Sequence, residues 1–240
     1  MNIQTDYIGA MVAEDFRTAA IFKKYEIDFC CKGSRTIKEA CEKNGVDEYL
    51  IYTEIEGLPK DKSTDFDFTF WPLDLLADYI EKTHHQYVEE KTLVLQSFLD
   101  KLCKVHGHAH PELLDVRELF NESARDLSVH MKKEELILFP FIRNMVKTKN
   151  SGQELTTPHF VRVEYPVNMM RHEHEVEGER LQKISGLTNR YTPPEDACNT
   201  YKVTFSMLED FENNLHTHIH LENNILFPKS IDLERELRLQ

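Results

Sequence analysis

The sequence predicts an all-α protein, with a small N-terminal helical unit followed by an up-down-up-down four-helix bundle. Three observations carry that reading. Gly and Pro number only 8 and 9 in 240 residues, so helix breakers are scarce. Apolar residues recur at the helical spacing of three and four rather than the strand spacing of two. Two stretches are versions of one another: His130-Met-Lys-Lys-Glu134-Glu-Leu-Ile-Leu138-Phe139-Pro140 and His218-Ile-His-Leu-Glu222-Asn-Asn-Ile-Leu226-Phe227-Pro228, both His-x3-Glu-x3-Leu-Phe-Pro.

Residues 1–64 are expected to form the small unit with its linker, and residues 65–240 the bundle. The small unit reads as a helix near Val12 to Tyr25, a turn at Asp28-Phe-Cys-Cys-Lys-Gly33, a helix opening at about Thr36, and a third near Asp47 to Glu56. Gly33 fits the glycine expected past a helix end or in a tight turn. The stretch Gly57-Leu-Pro-Lys-Asp-Lys-Ser-Thr-Asp-Phe-Asp67 is polar and aperiodic, as a linker should be. The first bundle helix is expected from about Pro72, which suits a first turn, to Val105. The second spans about Pro111 to Lys147 and is interrupted or bent at Pro140. The third spans about His159 to Leu187, and the fourth about Glu195 to Ile231 with Pro228 near its end. Turn-rich connections between them make neighbours antiparallel.

The net charge of −13, from 42 acidic and 29 basic residues, with no basic patch, excludes a nucleic-acid backbone or an anionic membrane as partner. The N-terminal stretch lacks a basic segment followed by an apolar run, and nowhere do the roughly 20 apolar residues of a membrane span occur. A soluble, cytoplasmic protein is expected. Five cysteines, an odd number, point to reduced thiols in a reducing compartment. The twelve histidines cluster as His84-His85, His106/His108/His110, His172/His174 and His216/His218/His220.

Each bundle helix has one apolar stripe, read by stepping three or four residues. In the first helix the stripe runs Leu73, Leu76, Ile80, His84, Tyr87 and turns His85 about 100° away. In the second it runs Phe120, Ala124, Leu127, His130, Glu134, Leu138. In the third it selects His174 and turns His172 outward; in the fourth it selects His218 and Glu222 and leaves His216 and His220 outside. Four imidazoles and two carboxylates thus converge on one interior. Two buried carboxylates are costly unless cations compensate them. Mixed imidazole and carboxylate ligation without thiolate suits iron, manganese or zinc. Two His per metal, two bridging carboxylates and a bridging oxo or hydroxo group give about five donors, leaving one open position on each ion, which suits redox-active iron better than structural zinc.

With those residues in hand, the chain resembles the iron–sulfur cluster repair di-iron proteins, the ScdA-like or "repair of iron centres" family, whose bundle is hemerythrin-like. The resemblance rests on Ile27-Asp-Phe-Cys-Cys-Lys-Gly33, the His84-His pair, His130-x3-Glu134-x4-Phe139-Pro140, Glu173-His174, Tyr191-Thr-Pro-Pro-Glu-Asp-Ala-Cys198 and His218-x3-Glu-Asn-Asn-Ile-Leu-Phe-Pro228. It implies a centre of two iron ions held by His84, His130, Glu134, His174, His218 and Glu222, with the two glutamates bridging. It implies also that two inner carboxylates correspond to Asp126 and Glu173. The implied function is repair of iron–sulfur clusters damaged by nitric oxide or oxidants, by iron donation, reduction of NO to N2O, or both. The partners would be damaged iron–sulfur proteins, with NO or O2 as small ligands, and a homodimer is compatible with the family.

Cys30 and Cys31 read as paired thiols that deliver electrons, relay NO or bind a partner's iron, against the alternative of small packed residues in a turn. Cys41, Cys103 and Cys198 read as core thiols. His106, His108 and His110 read as a solvated connection rather than an accessory metal site, and Glu135 with Lys132 and Lys133 as a solvated helix edge. The alternative function is a hemerythrin-type carrier or sensor binding O2 or NO reversibly, disfavoured by having four interior histidines where hemerythrins use one more; an iron-storage or structural metal bundle is a third.

Overall fold

The computed structural model describes residues 7–59, 67–152, 154–155 and 160–239. Its N-terminal unit has α1 (Ile8–Glu14), α2 (Thr18–Lys24), α3 (Ile37–Asn44) and α4 (Glu48–Glu56). The single helix expected near Val12 to Tyr25 is two. The chain breaks where the Asp15 carboxylate accepts from the Arg17 backbone N–H at 3.2 Å and the Thr18 hydroxyl donates to the Asp15 carbonyl at 2.7 Å, local bonds that compete with the helical ladder. α3 opens at Thr36 through a capping box, Thr36 accepting from the Glu39 N–H and the Glu39 carboxylate accepting from the Thr36 N–H. The domain boundary expected at residues 64 and 65 lies outside the described residues.

The first long helix comprises α5 (Leu73–Tyr79), a π turn (Ile80–His85) and α6 (Gln86–His106). The second comprises α7 (Glu112–Lys133), a π turn (Glu134–Leu138) and α8 (Phe139–Ser151). The third is α9 (Glu164–Leu187), its expected start at His159 lying outside the described residues. The fourth comprises α10 (Asn199–Leu221), a π turn (Glu222–Leu226) and α11 (Phe227–Arg238). α6 packs on α7 and α10, and α7 on α9, while at the other end α8 packs on α5 and α11. No helix is long and apolar enough to cross a membrane among the described residues.

Pro140 was expected to interrupt or bend the second helix and Pro228 to lie near the end of the fourth; the helix continues through both. A proline donates no hydrogen bond and crowds the carbonyl four residues back. The chain meets this by widening just beforehand: the Phe139 N–H bonds to the Glu134 carbonyl and the Phe227 N–H to the Glu222 carbonyl, five residues apart in both copies. The duplicated Leu-Phe-Pro therefore encodes a π turn that begins on the duplicated glutamate.

The apolar core is in two parts. One includes Phe22 of the N-terminal unit with Leu95, Phe120, Leu181, Phe205 and Phe211, and the other gathers around Leu76, Ile80, Phe139, Ile142, Val167 and Phe227. On all four long helices the break between them falls at the same level, where His84, His85, His130, Glu134, His174, His218 and Glu222 are buried. Phe120 is fully buried and meets Phe211 edge-on at 5.3 Å. Phe120→Ala is expected to destabilise the fold by about 3–5 kcal/mol, measured by urea denaturation, without moving the polar layer.

Candidate metal centre

The polar layer resolves into two groups that share both glutamates. His85, Glu134, His218 and Glu222 form one and His130, Glu134, His174 and Glu222 the other, the ligand atoms of each lying within 4.8 Å of one another. His130 Nε2 is 3.3 Å and His85 Nε2 3.4 Å from Glu134 Oε2. His174 Nε2 lies 3.1 Å from Glu222 Oε2, and His218 Nε2 is 3.0 Å from Glu222 Oε1. Both glutamates are fully buried, yet Glu134 Oε1 and Oε2 and Glu222 Oε2 have no hydrogen-bond donor. Such orphaned carboxylate oxygens facing imidazole lone pairs are the donor set of a cation site.

Of the six ligands expected, five meet in these groups. The sixth, His84, is buried beside them, its ring stacked on His218 at 5.7 Å and its Nε2 without a partner. His85, which the stripe turned away, is 1% exposed and faces both carboxylates. The cause is the π turn over Ile80–His85. An i→i+5 turn takes one more residue per revolution than the α-helix, so the step from Ile80 that reaches His84 on a regular helix brings His85 inward here.

A second layer holds four of the imidazoles by Nδ1. Glu173 Oε2 is 2.8 Å from His130 Nδ1, Glu135 Oε1 2.9 Å from His85 Nδ1, Asn223 Oδ1 3.0 Å from His174 Nδ1 and Asn214 Oδ1 3.1 Å from His84 Nδ1. An acceptor on Nδ1 fixes the tautomer whose Nε2 lone pair points at the metal. Glu173 therefore touches His130, one of the expected ligands, whereas Glu135, expected on a solvated edge, orients His85. Asp126 bonds no ligand: its carboxylate takes Arg180 at 2.8 Å. It lines a cleft of about 390 Å³ between α7 and α9, with Lys133, His172, Glu173, Glu177 and Arg180, that ends at His130 and His174. The sequence reading missed the buried Glu177 on its floor, bonded by Ser123 and Arg180; an acid three residues from a stripe histidine was the only signal.

The charges are distributed unevenly. Burial and the adjacent Glu222 push Glu134 up, while at Glu222 burial is outweighed by His218, His174 and His85, which hold it well below the ordinary carboxylate range. Burial opposes protonation of His85, but Glu134 and Glu222 prevail and raise it to about 10. The His130 hydrogen bond, then Lys133, lower Glu173 to about 2 despite burial.

The N-terminal unit covers the fourth helix beside the site. Cys30 is buried and Cys31 half-buried, their sulfurs 3.7 Å apart as free thiols, and the Cys31 thiol donates to the His174 carbonyl at 3.3 Å. Cys30, Cys31 and Asp28 form a third group of potential ligands. His220, read as outside, is 1% exposed because Phe16 and Phe29 of this unit each lie 5.8 Å from its ring; His216 is half-buried against Phe29. At the far end, His106, His108 and His110 do not converge: His106 Nε2 is 3.3 Å from the Cys198 sulfur, His110 pairs with Asp196 and Glu112, and His108 is exposed. Cys41 is a core thiol as expected, whereas Cys198 is exposed, because it sits at the start of α10.

Residues 77–230 match the family described as the hemerythrin HHE cation binding domain, and residues 4–58 match ScdA_N, described as a domain of unknown function. Iron-sulfur cluster repair protein YtfE of Yersinia pestis (strain Pestoides F) is 29% identical over 231 residues, 96% of this chain and 99% of the relative. The protein of that name in Yersinia pseudotuberculosis serotype O:1b (strain IP 31758) has the same identity and coverage.

His85 yields a pH prediction for chelator-treated protein. Its folded value of about 10 exceeds the ordinary 6.5, so its contribution is complete below the lower value and is lost as pH rises through the upper one. The melting temperature is expected to fall by roughly 3 °C or more between about pH 7 and pH 10, and the fall to shrink in His85→Gln.

Proposed function

The chain belongs to the hemerythrin HHE cation binding family, and from that premise we propose that it is a non-haem di-iron protein that restores iron–sulfur clusters damaged by nitric oxide or oxidants. One observation carries the reading: two groups of buried ligands share both Glu134 and Glu222. In this proposal Glu134 and Glu222 would be shared by two irons, His130 and His174 would hold one and His218 with His84 the other, and His85 would present its Nε2 alongside. The repair activity named for the relatives, which align over 96% of the chain, gives the proposed partners: damaged iron–sulfur proteins, met in the cytoplasm.

Two ferrous ions would supply the two electrons that, with two protons, convert two NO molecules to N2O and water. The protein's own groups do the rest. Glu134 and Glu222 set the charge of the site, and Glu173, Glu135, Asn223 and Asn214 aim the imidazoles. The α7–α9 cleft, with Asp126 at its wall and Lys133, Glu173 and Arg180 along it, would offer an approach to His130 and His174 for protons or departing iron. Cys30 and Cys31, one of which touches the His174 carbonyl, act as redox or transfer thiols.

A second reading is a carrier or sensor that binds O2 or NO reversibly. The sequence disfavoured it for lack of a fifth interior histidine, and His85 is a fifth. The docked Cys-Cys loop, for which a carrier has no use, favours repair.

The deciding experiment loads the protein anaerobically with ferrous iron, adds NO and measures N2O, with recovery of an NO-damaged iron–sulfur enzyme assayed in parallel. Either output supports the proposal; reversible O2 binding with neither output overturns it. Glu134→Ala and Glu222→Ala should each lower bound iron from about two per chain to one or fewer, and full retention in both would defeat the bridging role. His84→Ala and His85→Ala, compared by iron content, identify the fourth imidazole. Cys30→Ala with Cys31→Ala should leave iron content intact and impair repair.

A further inference from the structure

The two copies of the repeat diverge just after the shared glutamate, Glu135-Leu-Ile in the first and Asn223-Asn-Ile in the second. Glu135 and Asn223 occupy equivalent positions and do equivalent things. Each reaches the Nδ1 of a histidine on another helix, Glu135 that of His85 at 2.9 Å and Asn223 that of His174 at 3.0 Å.

The two groups differ in one respect. A carboxylate accepts on both oxygens, so Glu135 orients His85 whichever way it turns, and Glu173 does the same for His130. An amide has an accepting and a donating end. Turned one way, Asn223 leaves the His174 proton on Nδ1 and the Nε2 lone pair free for metal; turned the other, it favours the proton on Nε2, where metal would bind.

What sets Asn223 is the N-terminal unit. The Asn223 Nδ2 donates to the Cys30 carbonyl at 3.1 Å. A carbonyl only accepts, so with the Cys-Cys loop in place the amide nitrogen faces Cys30 and its oxygen must face His174. The next residue anchors the same loop, Asn224 Nδ2 donating to the Phe29 carbonyl at 3.1 Å. Gly9 and Gly33 let the backbone come this near: a Cβ on Gly9 would collide with the Asn224 side chain, and one on Gly33 would lie 2.8 Å from the Gly9 Cα. Asn214, which holds His84, lies on α10 and makes no such link in this loop.

We propose that Asn223 is a positioning residue that couples docking of the Cys30–Cys31 loop to the metal-binding tautomer of His174, so that lifting the loop loosens the His130/His174 half of the centre and leaves the other half held. The metal part of this inference rests on the di-iron reading above. It gives the N-terminal unit a second part beside its thiols: when the loop leaves to meet another protein, the same motion readies one iron for transfer.

The test uses the full-length protein and has a metal-independent arm. With the chain labelled in its histidine nitrogens and stripped of metal, NMR should find a proton held on His174 Nδ1 in the natural protein, whatever Nε2 shares with Glu222, and that Nδ1 occupancy lowered in Asn223→Ala. With iron loaded, transfer to a colourimetric ferrous chelator should be uniformly slow in the natural protein. In Asn223→Ala and in Gly9→Ala, which displaces the loop from outside the centre, one iron of the pair should leave about tenfold faster and the other at the original rate. Gly9→Ala should also speed alkylation of Cys31. An unchanged His174 tautomer in Asn223→Ala, or equal acceleration of both irons, overturns the proposal. Absence of bound iron in the natural protein would defeat the di-iron reading instead, and the tautomer measurement would still decide the positioning role.

Discussion

Two carboxylates with no access to water, Glu134 and Glu222, are the constraint around which the bundle is organised. An uncompensated buried charge costs several kcal/mol, so positive or proton-donating groups must reach these oxygens from every side. Four imidazoles do so, one from each long helix: His85, His130, His174 and His218. Three of them, His85, His130 and His174, are aimed by a further ring of acceptors, and that ring has partners of its own: Lys133 on Glu173, Lys132 on Glu135, the Cys30 carbonyl on Asn223. The electrostatics of the interior thus determine side chains two contacts away.

Backbone irregularity serves the same end. Three of the four long helices carry a π turn at this level, each beginning or ending on an interior polar residue. Such turns give up regular hydrogen bonding and are concentrated at functional sites. Here the turn at Ile80–His85 brings His85 to the carboxylates, although the regular stripe carries His84.

Much of this was legible in the residues alone. The helical period and the duplicated His-x3-Glu disclosed the architecture and five members of the two ligand groups, because local spacing on a regular helix fixes direction. His85 was misplaced because stripe-walking assumes about 3.6 residues per turn throughout, and the turn at Ile80–His85 has no proline to announce its widening, unlike Pro140 and Pro228. His220 was misread because outward from the bundle was equated with solvent, when Phe16 and Phe29, some two hundred residues earlier in the chain, lie there. Glu135 was read as a solvated edge and Glu177 escaped notice because His85 and Ser123, the groups that draw them inward, lie 50 and 54 residues away in sequence, and a lone acid on a helix has no pattern from which such a partner can be read.

The divided core bears on what iron donation means for the donor. The polar layer parts the apolar interior at one level on every long helix, so the two halves are joined there by ligands and whatever those ligands hold. Metal binding free energy is folding free energy wherever the site needs the fold. Were it to supply iron as proposed, the protein would surrender a cross-brace of its own fold with each delivery. Its spent form would be mechanically weaker at the waist than its charged form, and its lifetime would be tied to how soon it is refilled.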